Sequence, residues 1–317
     1  MSIIEQATRR LQELNRAGVG VAWAPSGAVA RDERSAAPVA PPARPRAAAW
    51  LADAPRAEPG AARGEQARAA FEPAVDVYLD LARLEREGYL VPSNARTVLA
   101  EEYRQIKRPL LKNARSADAA AKRLSLIAVT SARPGEGKTF SAINLAMSIA
   151  SEIDLSVLLV DADVIRHDAM TRLGVEAELG LMDVLVDESL RLEDAVLRTN
   201  VPKLSVLPAG RQQPLSTELM ASSMMERVLR RLASEFPRVI IVFDAPPLLA
   251  TSEAKVLAAN VGQVLMVVEA QRTERASVEL AFAALEQCPI VMSVLNKSTA
   301  HPKGGYGYGY GYGYGRT

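Results

Sequence analysis

The residues best suited to chemistry form a glycine-rich stretch at positions 131–139, which contains Gly135, Gly137, Lys138 and Thr139. An apolar run precedes this stretch and a helical pattern follows it, which is the strand–loop–helix context of a phosphate-binding loop. Glycines let backbone N–H groups turn toward phosphate oxygens, and the following helix adds the positive end of its dipole. Lys138 would contact the outer phosphates and the Thr139 hydroxyl would bind Mg²⁺. The alternative is a glycine-rich turn with a chance lysine.

Carboxylates follow two predicted strands. Asp161 and Asp163 come directly after the apolar run 155–160, and Asp244 comes directly after the run 239–243. In a doubly wound sheet the ligand binds at the carboxyl ends of the strands, so we expect these carboxylates beside the phosphate loop. Asp244 is placed like the acidic residue that holds Mg²⁺ or its waters in nucleotide-binding loops of this kind. Helix N-capping is the alternative for Asp161 and Asp163, but the combined pattern favours a magnesium–nucleotide site.

Short apolar runs rich in Val, Ile and Leu alternate with helical patterns after the loop. Such runs are typical of parallel strands covered on both faces. We therefore predict an α/β fold with a doubly wound, mostly parallel sheet, of the phosphate-loop nucleoside triphosphatase class with a deviant phosphate-loop motif. The predicted strands are 124–130, 155–160, 204–207, 239–243, 264–268 and 290–295, and the predicted helices include 141–150, 217–234 and 274–286.

Two further helices are predicted before the loop. The first should end near Gly88, and residues 92–94 should form a turn and the N-cap of the second. Pro109 should end or kink that second helix because proline removes a backbone hydrogen bond. Three charged residues spaced three apart, Glu101, Arg104 and Lys107, predict one charged, solvated helix face.

Composition excludes several classes of function. The net charge of +1 and the 5% of aromatic residues argue against nucleic-acid binding. The single cysteine, Cys288, falls in a predicted core segment, which fits a reducing cytoplasm. No apolar run reaches the ~18 residues of a membrane span, and the start of the chain has no signal-peptide pattern. We therefore expect a cytoplasmic protein.

The chain divides into four predicted regions. Residues 1–22 carry a short amphipathic helical pattern, either a docking helix or a frayed terminus, and residues 23–73 form an Ala/Pro/Arg-rich disordered linker. The phosphate-loop domain spans 74–300, and residues 301–317 form a Gly/Tyr tail. Glycine keeps the tail backbone loose around its hydroxyls, so the tail could be a substrate; a low-complexity sticky tail is the alternative. Its five tyrosines are Tyr306, Tyr308, Tyr310, Tyr312 and Tyr314.

These motifs resemble those of the bacterial tyrosine kinase family over about residues 95–317. The loop from Pro134 to Thr139 is similar to the family's Walker A motif, residues 157–163 to its special Walker A′ motif, and residues 239–247 to its Walker B motif. Glu101, Arg104 and Lys107 resemble its oligomerisation motif, with Lys107 in place of the last arginine. The N-terminal extension and residues 107–111 look most like the autokinases of exosortase-associated exopolysaccharide clusters.

The resemblance implies a site and a reaction. ATP would lie against the loop, with Pro134, Glu136 and Phe140 among its neighbours, and Mg²⁺ would be held by Thr139, Asp163 and Asp244. Lys138, Asp161 and Asp163 would be the catalytic residues, with Asp161 the first choice and Asp163 the second as proton acceptor. Phe140 could instead contact an activator or pack in the core. Asn296, after the last strand, could contact the base or be a turn residue.

The resemblance also implies partners. It predicts a ring-like homo-oligomer that phosphorylates tail tyrosines between subunits, a cognate tyrosine phosphatase, and a membrane-bound polysaccharide chain-length regulator as activator. The protein would then lie at the inner face of the inner membrane through that activator. The related partitioning and septum-positioning ATPases usually have a further lysine near the start of the loop, which this chain lacks. An ATPase switch of that type is nevertheless the alternative function, and a polysaccharide-export scaffold is a third.

Overall fold

The computed structural model describes residues 75–236 and 238–298. The predicted N-terminal helix, linker and tyrosine tail lie outside these residues, so those predictions stand as they are. Among the helices of the described ranges, none has the length and apolarity that a membrane crossing requires.

Seven strands form one sheet in the order β3-β4-β2-β5-β1-β6-β7. Every neighbouring pair is parallel except β3 with β4, so the predicted doubly wound, mostly parallel fold is confirmed. All six predicted strands are present within two residues of their predicted ends, and the two-residue edge strand β3 was not predicted. The strands are β1 (Leu126–Ser131), β2 (Ser156–Asp161), β3 (Leu197–Arg198), β4 (Leu204–Leu207), β5 (Val239–Asp244), β6 (Gln263–Glu269) and β7 (Ile290–Asn296).

Ten α-helices accompany the sheet within the described residues. The predicted helix 217–234 is two helices, because Ser222 caps a new helix by accepting a hydrogen bond from the Met225 N–H. The helices are α1 (Leu81–Arg86), α2 (Val98–Ala114), α3 (Lys138–Ala150), α4 (Asp168–Leu173), α5 (Leu181–Val186), α6 (Leu192–Ala195), α7 (Ser216–Met220), α8 (Ser223–Glu235), α9 (Ser252–Asn260) and α10 (Arg275–Ala283).

Two apolar layers cover the two faces of the sheet. Successive strand residues point to opposite faces, so Val242 and Phe243 of β5 belong to different layers. One layer includes Leu229 and Leu257 of α8 and α9, and the other includes Ile143 of α3. The strands β1, β4 and β5 are buried along their whole length, as a sheet covered on both faces requires.

Helix α2 corrects the predicted N-cap and, of the two outcomes predicted for Pro109, excludes an end of the helix there. Its N-cap is Thr97, whose side chain accepts a hydrogen bond from the Ala100 N–H, and residues 92–94 form a separate 3₁₀ turn. The helix also continues through Pro109 to Ala114. An interior proline costs about 3 kcal/mol, whereas burying a leucine contributes about 1.5–3 kcal/mol. Leu110 and Leu111, which are 0% and 4% exposed, therefore offset the proline.

Candidate active site

The phosphate loop joins β1 to α3 with the geometry expected of it. Gly135 and Gly137 have φ values of +88° and +98°, which L-residues with side chains rarely adopt. A Cβ on Gly137 would lie 2.0 Å from Asn296 Nδ2, so any side chain here would displace the Asn296 amide from the loop. Pro134 lies in the same loop and contributes no N–H. The predicted strand–loop–helix arrangement is therefore present.

Lys138, the first residue of α3, lies between two carboxylates. Its ammonium donates to Asp163 Oδ2 at 2.8 Å and lies 3.7 Å from Asp244 Oδ1 and 3.3 Å from Thr139 Oγ1. Burial opposes the charge on Lys138, but Asp244 and Asp163 outweigh it and raise the pKa of the ammonium. The lysine is thus a buried cation that these acids hold in place.

Asp244 is the least satisfied of the acidic side chains at this edge. It is 0% exposed, and neither carboxylate oxygen accepts a hydrogen bond from a described residue. Burial raises the pKa of Asp244 to about 7. Lys138, 3.7 Å away, compensates the Asp244 charge only in part, since the pKa is still raised; with no hydrogen-bond donor among the described residues on either oxygen, this position has spare capacity for a ligand.

Asp161 is partnered by the backbone that follows it. The carboxylate is 0% exposed and accepts hydrogen bonds from the Asp163 N–H and the Met170 N–H, both at 3.3 Å. Burial raises its pKa to about 7. Because Met170 lies in the first turn of α4, the capping role considered for Asp161 is present. Asp161 is also the register partner of Asp244, so the structure brings the two acids to one edge of the sheet.

Three other predicted neighbours of the nucleotide have protein partners. The Glu136 side chain is 3% exposed and accepts hydrogen bonds from the Arg133 N–H, at 2.8 Å, and from the Thr273 hydroxyl. Phe140 packs its ring 5.0 Å from the ring of Tyr89, as the core-packing alternative predicts. Asn296 donates from Nδ2 to the Glu136 carbonyl at 2.9 Å, so it contacts the loop itself.

Thr273, Glu269 and Lys297 were not singled out from the sequence. Lys297 donates to the Gly135 carbonyl at 2.8 Å and pairs with Glu269 at 3.1 Å. The available signal was their position, since all three follow or end the strands β6 and β7 at the edge where the loop lies.

The charged residues of α2 do not form one solvated face. Glu101 is exposed, Arg104 is half-buried, and the two side chains pair at 2.6 Å. Lys107 is 6% exposed and donates to the Ser148 carbonyl at 2.6 Å while pairing with Glu152 at 2.7 Å. The predicted common face is therefore wrong for Lys107, because its long side chain reaches back to the end of α3.

Comparison with known proteins agrees with this geometry. A family model described as an AAA domain matches residues 124–287. Tyrosine-protein kinase YwqD of Bacillus subtilis is 30% identical over 229 residues, which is 71% of this chain and 92% of that protein. Tyrosine-protein kinase CpsD of Streptococcus agalactiae is 32% identical over 183 residues, which is 55% of this chain and 77% of that protein.

A solved structure supports the fold. The kinase domain of the Escherichia coli tyrosine kinase ETK superposes with a TM-score of 0.55 at 24% identity, covering 74% of this chain and 95% of that domain. At this identity the likeness carries the fold, while the family rests on YwqD, most of whose length this chain covers. The phosphate loop, the two acidic strand ends and these matches agree, and the chain belongs to the bacterial tyrosine kinase family.

Proposed function

We propose that this protein is a tyrosine autokinase that transfers the terminal phosphoryl group of ATP to the tyrosines of its own C-terminal tail. The observation that carries the proposal is the group formed by Lys138, Asp163 and Asp244 against the phosphate loop. Relatives of this chain are named tyrosine-protein kinases, which indicates tyrosine as the phosphoryl acceptor. The candidate acceptors in this sequence are the tail tyrosines from Tyr306 to Tyr314.

The donor set suits Mg²⁺, which prefers oxygen ligands and is commonly held by one or two carboxylates plus substrate phosphates. Thr139, Asp163 and Asp244 offer a hydroxyl and two carboxylates, and the Asp244 oxygens lack other hydrogen-bond partners among the described residues. When bound, Mg²⁺ would neutralise charge on the phosphates. Lys138 now neutralises the acids at 2.8 and 3.7 Å, so it would be released to contact phosphate oxygens.

In the proposed reaction, a tyrosine oxygen attacks the terminal phosphorus, the bond from that phosphorus to the bridging oxygen breaks, and ADP leaves. The backbone amides of the loop from Gly135 to Thr139 and the Lys138 ammonium would hold the phosphates. The phenol proton would pass to Asp161, with Asp163 as the second choice. A pKa of about 7 makes Asp161 a better proton acceptor than an ordinary aspartate, provided that the segment around Met170 lets the phenol reach it.

The proposal includes an assembly. The exposed Glu101 and the half-buried Arg104 would contribute to a homo-oligomer in which the tail of one subunit enters the site of another. Lys107 would instead hold α2 to the end of α3. A membrane-bound chain-length regulator would activate the kinase at the inner face of the inner membrane, a phosphatase would reset it, and it would regulate exopolysaccharide synthesis or export. Membership of the exosortase-associated subgroup is part of this proposal.

A labelling experiment tests the reaction. The full chain is incubated with γ-labelled ATP and Mg²⁺, with and without the cytoplasmic segment of the regulator, and the label is mapped by mass spectrometry. Label on Tyr306–Tyr314 is expected, and a variant with all five tail tyrosines changed to Phe should lose it. Free phosphate without labelled protein would indicate the ATPase switch instead. If neither labelled protein nor free phosphate forms, the export scaffold becomes the better-supported function.

A further inference from the structure

Two carbonyl groups of the phosphate loop are held by side chains from β7 and the residue after it. The Gly135 carbonyl accepts from Lys297 Nζ at 2.8 Å, and the Glu136 carbonyl accepts from Asn296 Nδ2 at 2.9 Å. The described peptide bonds are all trans, so each N–H points opposite to the carbonyl of the same peptide unit. The N–H groups of Glu136 and Gly137 are therefore directed away from the end of β7.

A second set of contacts holds the same loop through a side chain. Glu136 accepts from the Arg133 N–H and from the Thr273 hydroxyl, and Thr273 Oγ1 accepts from the Glu269 N–H at 3.1 Å. Glu269 in turn pairs with Lys297 at 3.1 Å, which closes a circuit around the loop. We call this circuit the loop clasp; its members are Glu136, Glu269, Thr273, Asn296 and Lys297.

The clasp bears on ligand binding because of what it orders. Glycine loses more conformational freedom than other residues when it is fixed, and Gly135 and Gly137 both adopt positive φ. If the loop became ordered only when phosphate binds, the conformational entropy lost would weaken binding. Every clasp contact joins two groups of the protein, so the clasp can order the loop without a phosphate.

We propose that the loop clasp sets the affinity of the site for nucleotide phosphates, with Thr273 and Lys297 as positioning residues that act through their contacts with the loop. This inference rests on the proposed nucleotide site and adds the residues that shape it. Its probe is MgADP, which binds without turnover and so separates loop geometry from phosphoryl transfer.

Thr273 offers a matched pair of variants. Thr273→Val keeps the shape and removes the hydroxyl that joins Glu136 to Glu269, whereas Thr273→Ser keeps the hydroxyl. By titration calorimetry we expect Thr273→Val to bind MgADP about ten-fold more weakly, the effect of about one charge-assisted hydrogen bond, and Thr273→Ser to stay within about two-fold of the wild type. Lys297→Met should behave like Thr273→Val, and Lys297→Arg should restore most of the affinity.

Thr199→Val is the control for loss of a buried hydroxyl. Thr199 is 6% exposed. Its hydroxyl accepts a hydrogen bond from the Val201 N–H and donates one to the Leu204 carbonyl, and all three residues are far along the chain from the phosphate loop. The Thr199→Val variant should have a lower melting temperature than the wild type and an unchanged affinity for MgADP.

Amide hydrogen exchange in the nucleotide-free protein provides the second readout. Amides 135–137 should exchange faster in Thr273→Val and Lys297→Met than in Thr199→Val. Unchanged exchange together with MgADP affinity within about two-fold of the wild type would overturn the clasp. If the wild type binds no MgADP, the proposed function fails, and the exchange rates alone still decide whether the clasp orders the loop.

Discussion

Asp244 and Gln263 lie at opposite edges of the same sheet, and both are 0% exposed. Asp244 ends β5 and accepts no hydrogen bond from a described residue. Gln263 begins β6 and uses all of its amide: Nε2 donates to the carbonyls of Leu110 and Leu124, and Oε1 accepts from Asn113. The two positions have equal burial and opposite hydrogen-bond satisfaction.

The difference separates a site from a scaffold. A buried polar group that lacks partners destabilises the protein, and such a position persists when a ligand or a reaction uses it. A buried polar group with every partner present fixes how elements pack, as Gln263 fixes α2 against β6. At the carboxyl edge of the sheet, Asp244 thus has unused capacity to bind a ligand. At the amino edge, the Gln263 amide already has all its hydrogen-bond partners. Four variants test that distinction.

The largest effect is expected at the carboxyl edge, for Lys138→Met. Loss of a preorganised charge at a developing phosphoryl oxygen lowers the rate by about 10²–10³-fold. Tail labelling by γ-labelled ATP measures the rate, with circular dichroism as a check of folding. Lys122→Met is the control, because Lys122 is an exposed lysine that pairs with Asp118. Labelling of the Lys138→Met tail at the control rate would remove Lys138 from the mechanism.

At the amino edge, Gln263→Leu should change stability and leave the site intact. It leaves two carbonyls and one amide without their partner, and we expect a loss of about 2–3 kcal/mol in the free energy of unfolding. Urea denaturation measures this, with exposed Gln212→Leu as the control, and MgADP affinity should be unchanged. A Gln263→Leu protein as stable as the wild type would mean that its hydrogen bonds contribute nothing net.

The sequence predicted the carboxyl edge better than the amino edge. The loop and the acids Asp161, Asp163 and Asp244 were predicted because each follows an apolar run, and parallel strand ends must meet at one edge. The partners of Gln263 are 139 to 153 residues away, and Lys297 is 162 residues from Gly135. Local periodicity carries no information on such pairings. The burial of Lys107 was missed for the same reason, since its partners lie at the end of another helix: Ser148 in the last turn of α3 and Glu152 just after it.

Asp244→Asn should have opposite effects on stability and activity. Asparagine has the same shape without the charge, which burial disfavours most and Asp161 and Asp163 also repel; because these effects outweigh the attraction of Lys138 and raise the pKa of Asp244, the nucleotide-free protein should melt about 2–4 °C higher, corresponding to about 1 kcal/mol. Tail labelling should fall, because a neutral amide is a poorer Mg²⁺ ligand than a carboxylate. Calorimetry and labelling measure the two effects, with exposed Asp118→Asn as control. A lower melting temperature would show that the Asp244 carboxylate stabilises the empty site.

The smallest effect concerns Tyr103, a buried side chain of α2 that is 5% exposed and packs against the layer that includes α3. Burial raises the pKa of Tyr103 to about 12 from an ordinary 10.0, so the folded protein holds the phenol proton more tightly than the unfolded chain does. This contribution to stability is intact below pH 10 and is lost as the pH rises from about 10 toward about 12.

Tyr103→Phe removes the ionisation while keeping the ring. Between pH 9 and 10.5 the wild type should lose about 1 kcal/mol of unfolding free energy relative to Tyr103→Phe, as the linkage between these pKa values requires. Urea denaturation at the two pH values measures the difference, and the constant offset from the lost hydroxyl cancels. Parallel pH curves would show that the Tyr103 hydroxyl reaches water, and Tyr103 would then no longer count as a buried group like Gln263. Tyr103 of α2 lies in the same apolar layer as α3, the helix that begins at the phosphate loop. The same measurement therefore reports whether α2 packs tightly in the layer that supports α3.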